Sequence, residues 1–269
     1  MTGSFRSVLR RLRRVIAFVR ISRSPAQWLP LALLGWARDN PASLAARWFP
    51  AIGVRPALLH GSGLTIKTQD LGQLVSFEEV FVESVYELDL VPFTPTAIFD
   101  CGAHVGYFAA LAASAYPRVP LTVFEPNPAN VEWLRRNLSA FADHTAIRAA
   151  AVSVSDRMGR FAASASNAGR LQEPGAAGVD VPVLDLAAFV PRAPEATLLI
   201  KMDVEGEERQ LIPHLLPVLP HQCALFLETH DGVAAREELV RELSRHDFRV
   251  SCRRERPPYA DLFAVRGGG

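Results

Sequence analysis

Cysteine is scarce. Cys101, Cys223 and Cys252 are the only three in 269 residues, too few and too scattered for a disulfide framework or a zinc site. A reducing, cytoplasmic setting is the expectation that follows. No run approaches the ~18 consecutive apolar residues that a membrane-spanning helix needs. Lysine is almost missing too, with Lys67 and Lys201 alone among arginines. What is present is the balance of an ordinary globular chain, 49% hydrophobic and 21% charged, which excludes wholesale disorder or a fibrous repeat.

The net charge of +1 conceals an asymmetry. Residues 1–38 hold eight arginines and no acid, leaving 21 basic residues against 28 acidic ones in the remainder. An acidic body of that kind is a poor nucleic-acid binder, because phosphate binding needs clustered positive charge. Within the basic segment, Phe5, Val8, Leu9, Leu12, Val15, Ile16 and Val19 fall at helical spacing, which predicts a basic amphipathic helix over 5–21. As a signal peptide it is poor, since Arg20 interrupts a short apolar run and no small-residue cleavage site follows. Two fates stay open for its apolar stripe: peripheral contact at the inner, anionic membrane face, or docking on the protein's own body. Pro25, Pro30, Pro41, Pro50 and Pro56 then punctuate the chain into short pieces. The expected division is a basic helical extension over 1–62 and a main domain over 63–269, with a strand at 63–68 and a helix over 77–88. Tyr86 and the pair Glu78 and Glu79 precede the first core strand, where they are placed to roof a pocket.

From Thr96 apolar strand-like runs alternate with helical segments. The strands are 97–100, 121–125, 146–152, 197–203, 224–229, 248–252 and 261–265, and the helices about 104–115, 128–140, 206–217 and 233–246. Asn127 before Pro128 is a good helix start, a side-chain acceptor followed by a residue with no N–H to satisfy. This alternation predicts an α/β fold, a mostly parallel sheet with helices on both faces. The last two strands have no helix between them and should form an antiparallel hairpin at the sheet edge. Residues 165–180, small and Gly-rich, read as a mobile loop.

The first of these strands ends in Asp100-Cys101-Gly102-Ala103-His104-Val105-Gly106 and runs straight into a helix. Glycines there let a backbone approach a ligand, and the helix start adds unpaired N–H donors. The next strand ends in Glu125, nineteen residues after Gly106, a spacing at which a carboxylate can accept the ribose hydroxyls of an adenosine cofactor. A dinucleotide site would want glycine where Asp100 stands, and a negative charge there repels a diphosphate. An ammonium and a sulfonium suit it instead, pointing to S-adenosylmethionine; a turn-capping Asp100 is the plainer alternative.

Four segments, IFDCGAHVGYF (98–108), VFEPNPANVEWLRRNL (123–138), LLIKMDVEGEERQLI (198–212) and LFLETH (225–230), make the chain resemble the FkbM family of S-adenosylmethionine-dependent methyltransferases over roughly residues 77–230. The resemblance implies a class I methyltransferase, Rossmann-like sheet of seven strands in the order 3-2-1-4-5-7-6, and transfer to a hydroxyl oxygen. It places Asp100, Gly102, Ala103 and Gly106 around the methionine part of the cofactor, with Asp203 nearby, and Glu125 on the ribose, followed by Pro126 and Asn127. The family's K-x-D-V-E-G-x-E segment is read as Lys201, Asp203, Val204, Glu205, Gly206 and Glu207. His104 stands where Asn is frequent in the family.

Lys201 and Asp203 share one side of their strand by period-2 alternation, so an ion pair between them is the bland expectation. Glu207 is expected either to cap the following helix or to act at the site. Glu228 and His230, at the tip of the neighbouring strand, should face Asp203. A hydroxyl nucleophile must lose its proton, and His230 suits a base, with Asp203 or Glu228 orienting it; Lys201, Asp203, Glu228 and His230 are the expected catalytic group. Asp203, Glu228 and His230 are also types a divalent ion accepts, but no spacing demands one and no metal is expected. The expected function is O-methylation of a small-molecule acceptor, a carbohydrate, glycolipid or secondary metabolite. The rivals are an NAD-linked oxidoreductase on a Rossmann-like fold and a non-catalytic, membrane-associated module that keeps the cofactor pocket.

Overall fold

The structure is a computed structural model that describes residues 51–60, 62–67, 70–162, 169–172 and 176–267. The helix expected over 5–21 and the proline-punctuated stretch up to residue 50 lie outside the described residues. The chain divides into two compact units, Met1–Ser84 and Val85–Gly269. The boundary expected at 62/63 falls inside a hairpin. β1 (Ala51–Val54) pairs antiparallel with β2 (Leu64–Lys67), joining Val54 to Leu64. In the same unit α1 spans Leu71–Phe81, six residues earlier than expected, because Asp70 caps it by accepting the Gln73 N–H at 3.2 Å.

The second unit holds β3 (Ala97–Cys101), α2 (Tyr107–Ala115), β4 (Leu121–Phe124), α3 (Pro128–Asn137) and β5 (Thr145–Arg148). Four short strands follow: β6 (Ala151–Ser153), β7 (Arg157–Ala162), β8 (Arg170–Gln172) and β9 (Val179–Asp185). The chain closes with β10 (Thr197–Met202), α4 (Glu208–Leu215), β11 (Gln222–Thr229), α5 (Gly232–Arg245), β12 (Arg249–Arg256) and β13 (Tyr259–Arg266).

Seven strands form the main sheet in the order β12-β13-β11-β10-β3-β4-β5. Counting only these strands from β3, that is 3-2-1-4-5-7-6 read from the β5 edge. β10 lies parallel between β3 and β11, and β13 runs antiparallel to both β11 and β12. Phe99, Ile200, Leu225 and Leu262 on one face pack with Leu211, Leu215, Leu239 and Leu243 of α4 and α5. Phe226 on the opposite face meets Phe108 of α2 at 6.3 Å. Helices thus cover both faces, which is why β10 is buried along its whole length.

Two local expectations need correction. The run 146–152 is not one strand. The N–H of Ala150 reaches back to the carbonyl of Arg148 at 2.9 Å, and this tight turn ends β5 and sends Ala151–Ser153 into a second sheet, ordered β6-β9-β7-β8. The stretch 165–180 is not wholly loop, because Arg170–Gln172 pairs with β7 and β9 begins at Val179; residues 163–168 and 173–175 lie outside the described residues.

Candidate active site

The turn after β3 is shaped by close packing of the chain on itself. Gly102 has φ +76°, and a Cβ there would stand 1.8 Å from the Asp203 carbonyl oxygen, so the turn lies hard against the end of β10. Gly106, at φ +87°, would meet Leu134 of α3 at 2.6 Å. At both glycines the protein's own packing leaves no room for a Cβ. The N–H groups of Gly102 and Ala103 both donate to Phe124 O at 3.0 Å and hold the turn against β4.

Glu125 reaches into this turn. One oxygen accepts the His104 N–H at 2.7 Å; the other accepts the Asn127 N–H at 2.9 Å and the Asn130 side-chain amide at 3.2 Å. Of the roughly four acceptor directions on a carboxylate, these donors take three and leave one open. Burial pushes the Glu125 carboxyl up to about 7, although the Asn127, His104 and Asn130 hydrogen bonds work the other way. Asn127 also caps α3 through Ala129 N at 3.1 Å, and Pro126 between them is half-buried.

A polar cluster sits at the carboxyl ends of β10 and β11. Register places Lys201 beside Asp100 on one flank and Phe226 on the other. Its ammonium donates to Gly102 O at 2.6 Å and lies 3.5 Å from Asp100 Oδ1 and 3.6 Å from Asp203 Oδ2. Gly102 O is its hydrogen-bond acceptor, and the two carboxylates act on it as ion-pair partners. Burial would pull this amine's pKa down, but Asp203 and Asp100 outweigh it and hold the pKa above its ordinary value. Asp100 is wholly buried with neither oxygen hydrogen-bonded, and burial raises its pKa against the pull of Lys201.

His230 stands across from Asp203. Its Nε2 faces Asp203 Oδ1 at 3.4 Å and Glu205 Oε2 at 3.5 Å, while Nδ1 meets Glu208 Oε1 at 3.0 Å. Burial disfavours the charged ring, yet hydrogen bonding to Asp203 and Glu208 outweighs it and pushes His230 up to about 11. The carboxylates on both sides of the ring favour its protonated form, whereas the general-base role expected of His230 calls on the neutral one. Asp203 is held down at about 2: Lys201 and His230 overcome the effect of burial. Glu228 is pushed up to about 8 by burial and by Asp203 and Asp261, with Arg256 Nη2 3.3 Å from its Oε1. The Tyr86 ring packs edge-on against Phe108 at 4.9 Å and Phe226 at 5.6 Å, and Lys201, Asp203, Glu228 and Asp100 are the charges acting on its hydroxyl.

The structure thus brings Lys201, Asp203, Glu228 and His230 together, and joins Glu125 to the 102–106 turn. Glu207 neither caps α4 with its side chain nor enters the cluster; it accepts the Ser153 hydroxyl at 2.7 Å and ties β6 to the start of α4. The glutamate that matters is Glu208, which sequence reading passed over. It is 1% exposed, and it accepts the Gly206 N–H at 2.8 Å and the His230 main-chain N–H at 3.1 Å. The signal was in the sequence, since the eighth residue counted from Lys201 in K-x-D-V-E-G-x-E is Glu208. Arg256 and Asp261, from the terminal hairpin, carried no such signal.

An adenosine cofactor with a cationic sulfur fits these donors. Glu125 keeps an acceptor direction for a hydroxyl, and the buried Asp100 oxygens have no hydrogen-bond donor, only the ion pair with Lys201.

Residues 100–250, more than half of the chain, match the family model of the methyltransferase FkbM domain. Among curated proteins, the methyltransferase sdnD of Sordaria araneosa is 33% identical over 63 residues, covering 23% of this chain and 24% of that protein. The AMB antimetabolite synthetase AmbE of Pseudomonas aeruginosa is 31% identical over 86 residues, 32% of this chain but only 4% of that protein, so the chain spans a small part of the curated relatives it matches. The crystal structure of methyltransferase FkbM from Methylobacillus flagellatus KT aligns at 13% identity with a TM-score of 0.46, over 96% of this chain and 60% of that one. On the family match, the chain belongs to the FkbM methyltransferase family.

Proposed function

We propose that this chain is an S-adenosylmethionine-dependent O-methyltransferase acting on a hydroxyl of a carbohydrate, glycolipid or secondary metabolite. The observation that carries the reading is the division of labour at the sheet's switch point, the β3–β10 border. Nucleoside-type acceptors gather at the tips of β3 and β4, and the polar cluster gathers beside them at the tips of β10 and β11. S-adenosylmethionine, when bound, supplies an electrophilic sulfonium methyl group. Glu125 would accept a ribose hydroxyl, and Asp100 and Asp203 would favour positive charge on the cofactor. Lys201 holds the Gly102 turn in place. On the other flank Asp203, Glu228 and His230 would orient the acceptor hydroxyl by hydrogen bonds, Asp203 as an ionised acceptor and His230 as a donor. Glu208 fixes the His230 ring.

An acceptor that is a small polyol suits the mixed acidic and basic lining. The reading includes a cytoplasmic setting, in keeping with the free thiols of Cys101, Cys223 and Cys252. No helix among the described residues is long and apolar enough to cross a membrane. The test is calorimetric titration with S-adenosylhomocysteine, followed by transfer of labelled methyl to a panel of sugars, glycolipids and polyketides. Binding of NAD with none of S-adenosylhomocysteine would overturn the assignment. Cofactor binding without transfer to any hydroxyl acceptor would leave the non-catalytic module in its place.

A further inference from the structure

We propose that Asp203, Glu228 and His230 form a binding site for a single divalent cation, with Glu205 as a fourth donor. Among the described residues, Asp203, Glu228 and His230 each offer one ligand atom, and these atoms lie within 4.8 Å of one another. Two atoms bound to one ion at ~2.1–2.4 Å are never farther apart than about 4.8 Å, so the group has the span of a coordination shell. The His230 Nε2 distances, 3.4 Å to Asp203 and 3.5 Å to Glu205, exceed a good hydrogen bond and match neighbouring ligands around a shared centre.

The ring is also oriented as a ligand. Glu208, its side chain 2% exposed, takes Nδ1, which leaves Nε2 as the nitrogen aimed at the carboxylates. A carboxylate behind an imidazole is the usual arrangement that fixes the tautomer of a metal-bound histidine. Asp203 divides its two oxygens, Oδ2 toward Lys201 and Oδ1 toward His230. Behind Lys201 lies the wholly buried Asp100, neither of whose oxygens is hydrogen-bonded, and it draws on the same ammonium. Asp203, Glu205 and Glu228 bring three carboxylates to the place where the ligand atoms converge.

Oxygen and imidazole donors without thiolate select Mn²⁺, Mg²⁺ or Fe²⁺ types over thiophilic ions. An ion held by three or four protein atoms keeps positions for acceptor oxygens. The site itself rests on the donor geometry; only its use beside an acceptor rests on the transfer reading above.

The experiment strips the full-length protein with EDTA, titrates it with Mn²⁺ at pH 7.5, and counts free Mn²⁺ by its paramagnetic resonance signal. One Mn²⁺ per chain is expected. Asp203→Asn, Glu228→Gln and His230→Gln should each weaken binding tenfold or more, while the exposed Glu238→Gln leaves it unchanged. Melting curves confirm that each variant folds, and Glu205→Gln, a shape-preserving change, gives a further arm with a smaller loss. No bound Mn²⁺ at millimolar concentration, or binding indifferent to the first three substitutions, would overturn the site. S-adenosylhomocysteine titration of the same samples separates the two readings, since its failure strikes the methyltransferase assignment and leaves the Mn²⁺ count standing.

Discussion

Raising the pH through 7 should tighten S-adenosylhomocysteine binding, and Glu125 is the reason. Its carboxyl titrates at about 7 because burial disfavours the charge more than its three hydrogen-bond donors restore it. About one carboxylate in ten is then ionised at pH 6, and about nine in ten at pH 8. An ionised acceptor holds a hydroxyl about twice as strongly as a neutral one, a difference of ~1 kcal/mol or ~5-fold. Weighting by those populations, affinity should rise about three- to four-fold from pH 6 to pH 8. The stability of the ligand-free fold runs the other way. A carboxyl whose pKa rises from 4.5 to about 7 on folding contributes most below pH 4.5, and that contribution is lost as pH rises to about 7. The loss is up to about 3 kcal/mol. Calorimetry with S-adenosylhomocysteine and thermal melts over the same pH series read the two trends. In Glu125→Gln the amide NH₂ must face the N–H of His104 or of Asn127, so binding should fall about tenfold and lose its pH dependence. A pH-independent affinity in the natural protein, or normal binding by Glu125→Gln, would refute the reasoning.

Three more outcomes follow from the packing. Lys201→Met should destabilise the protein by about 3–5 kcal/mol, since it strands Asp100 and Asp203 without their buried cation; adding Asp100→Asn should recover part of the lost melting temperature. Gly102→Ala should yield little soluble protein, because its Cβ would stand 1.8 Å from a backbone oxygen at a left-handed φ of +76°; expression and melting alongside Gly232→Ala, where a Cβ meets nothing within 4 Å, provide the comparison. Glu208→Ala should cost about 2–4 kcal/mol in chemical denaturation, as the N–H groups of Gly206 and His230 lose their acceptor.

The sheet and its edge hairpin were legible because strand and helix periods are local properties of the chain. The second sheet was not. β6 pairs with β9, whose residues lie some thirty positions downstream, and the turn that separates β6 from β5 falls in an alanine run with no glycine or proline to mark it. Glu125 and the Lys201–Asp203 side of β10 were legible from motif spacing and from alternation. The roles of Glu207 and Glu208 were not, because consecutive residues at a helix start differ by about 100° in direction. One residue of offset turns Glu208 inward to His230 and Glu207 toward Ser153. His230 suits a base at its ordinary pKa; the carboxylates that raise that pKa come from the 203–208 turn, and sequence separation does not reveal which of them converge on one ring.

That convergence assigns different duties to the two flanks of the site. Lys201 is anchored to the Gly102 carbonyl, and the Gly102 turn is pressed on the Asp203 carbonyl, so the cofactor turn and the end of β10 form one packed unit. A change in either displaces both, and neither can vary to suit a new acceptor without disturbing the other. The β11 flank is built differently. Glu228 is met by Arg256, His230 is faced edge-on by Tyr259 at 5.5 Å, and both partners come from the β12–β13 hairpin. Arg256 is 39% exposed and Tyr259 40%, and their contacts are side-chain contacts that substitution can replace without moving a strand. Acceptor preference should therefore respond to Arg256 and Tyr259 while cofactor affinity does not. Arg256→Ala and Tyr259→Ala are expected to change the acceptor KM and leave S-adenosylhomocysteine binding within twofold. A parallel loss of both would mean that the flanks are one mechanical unit after all.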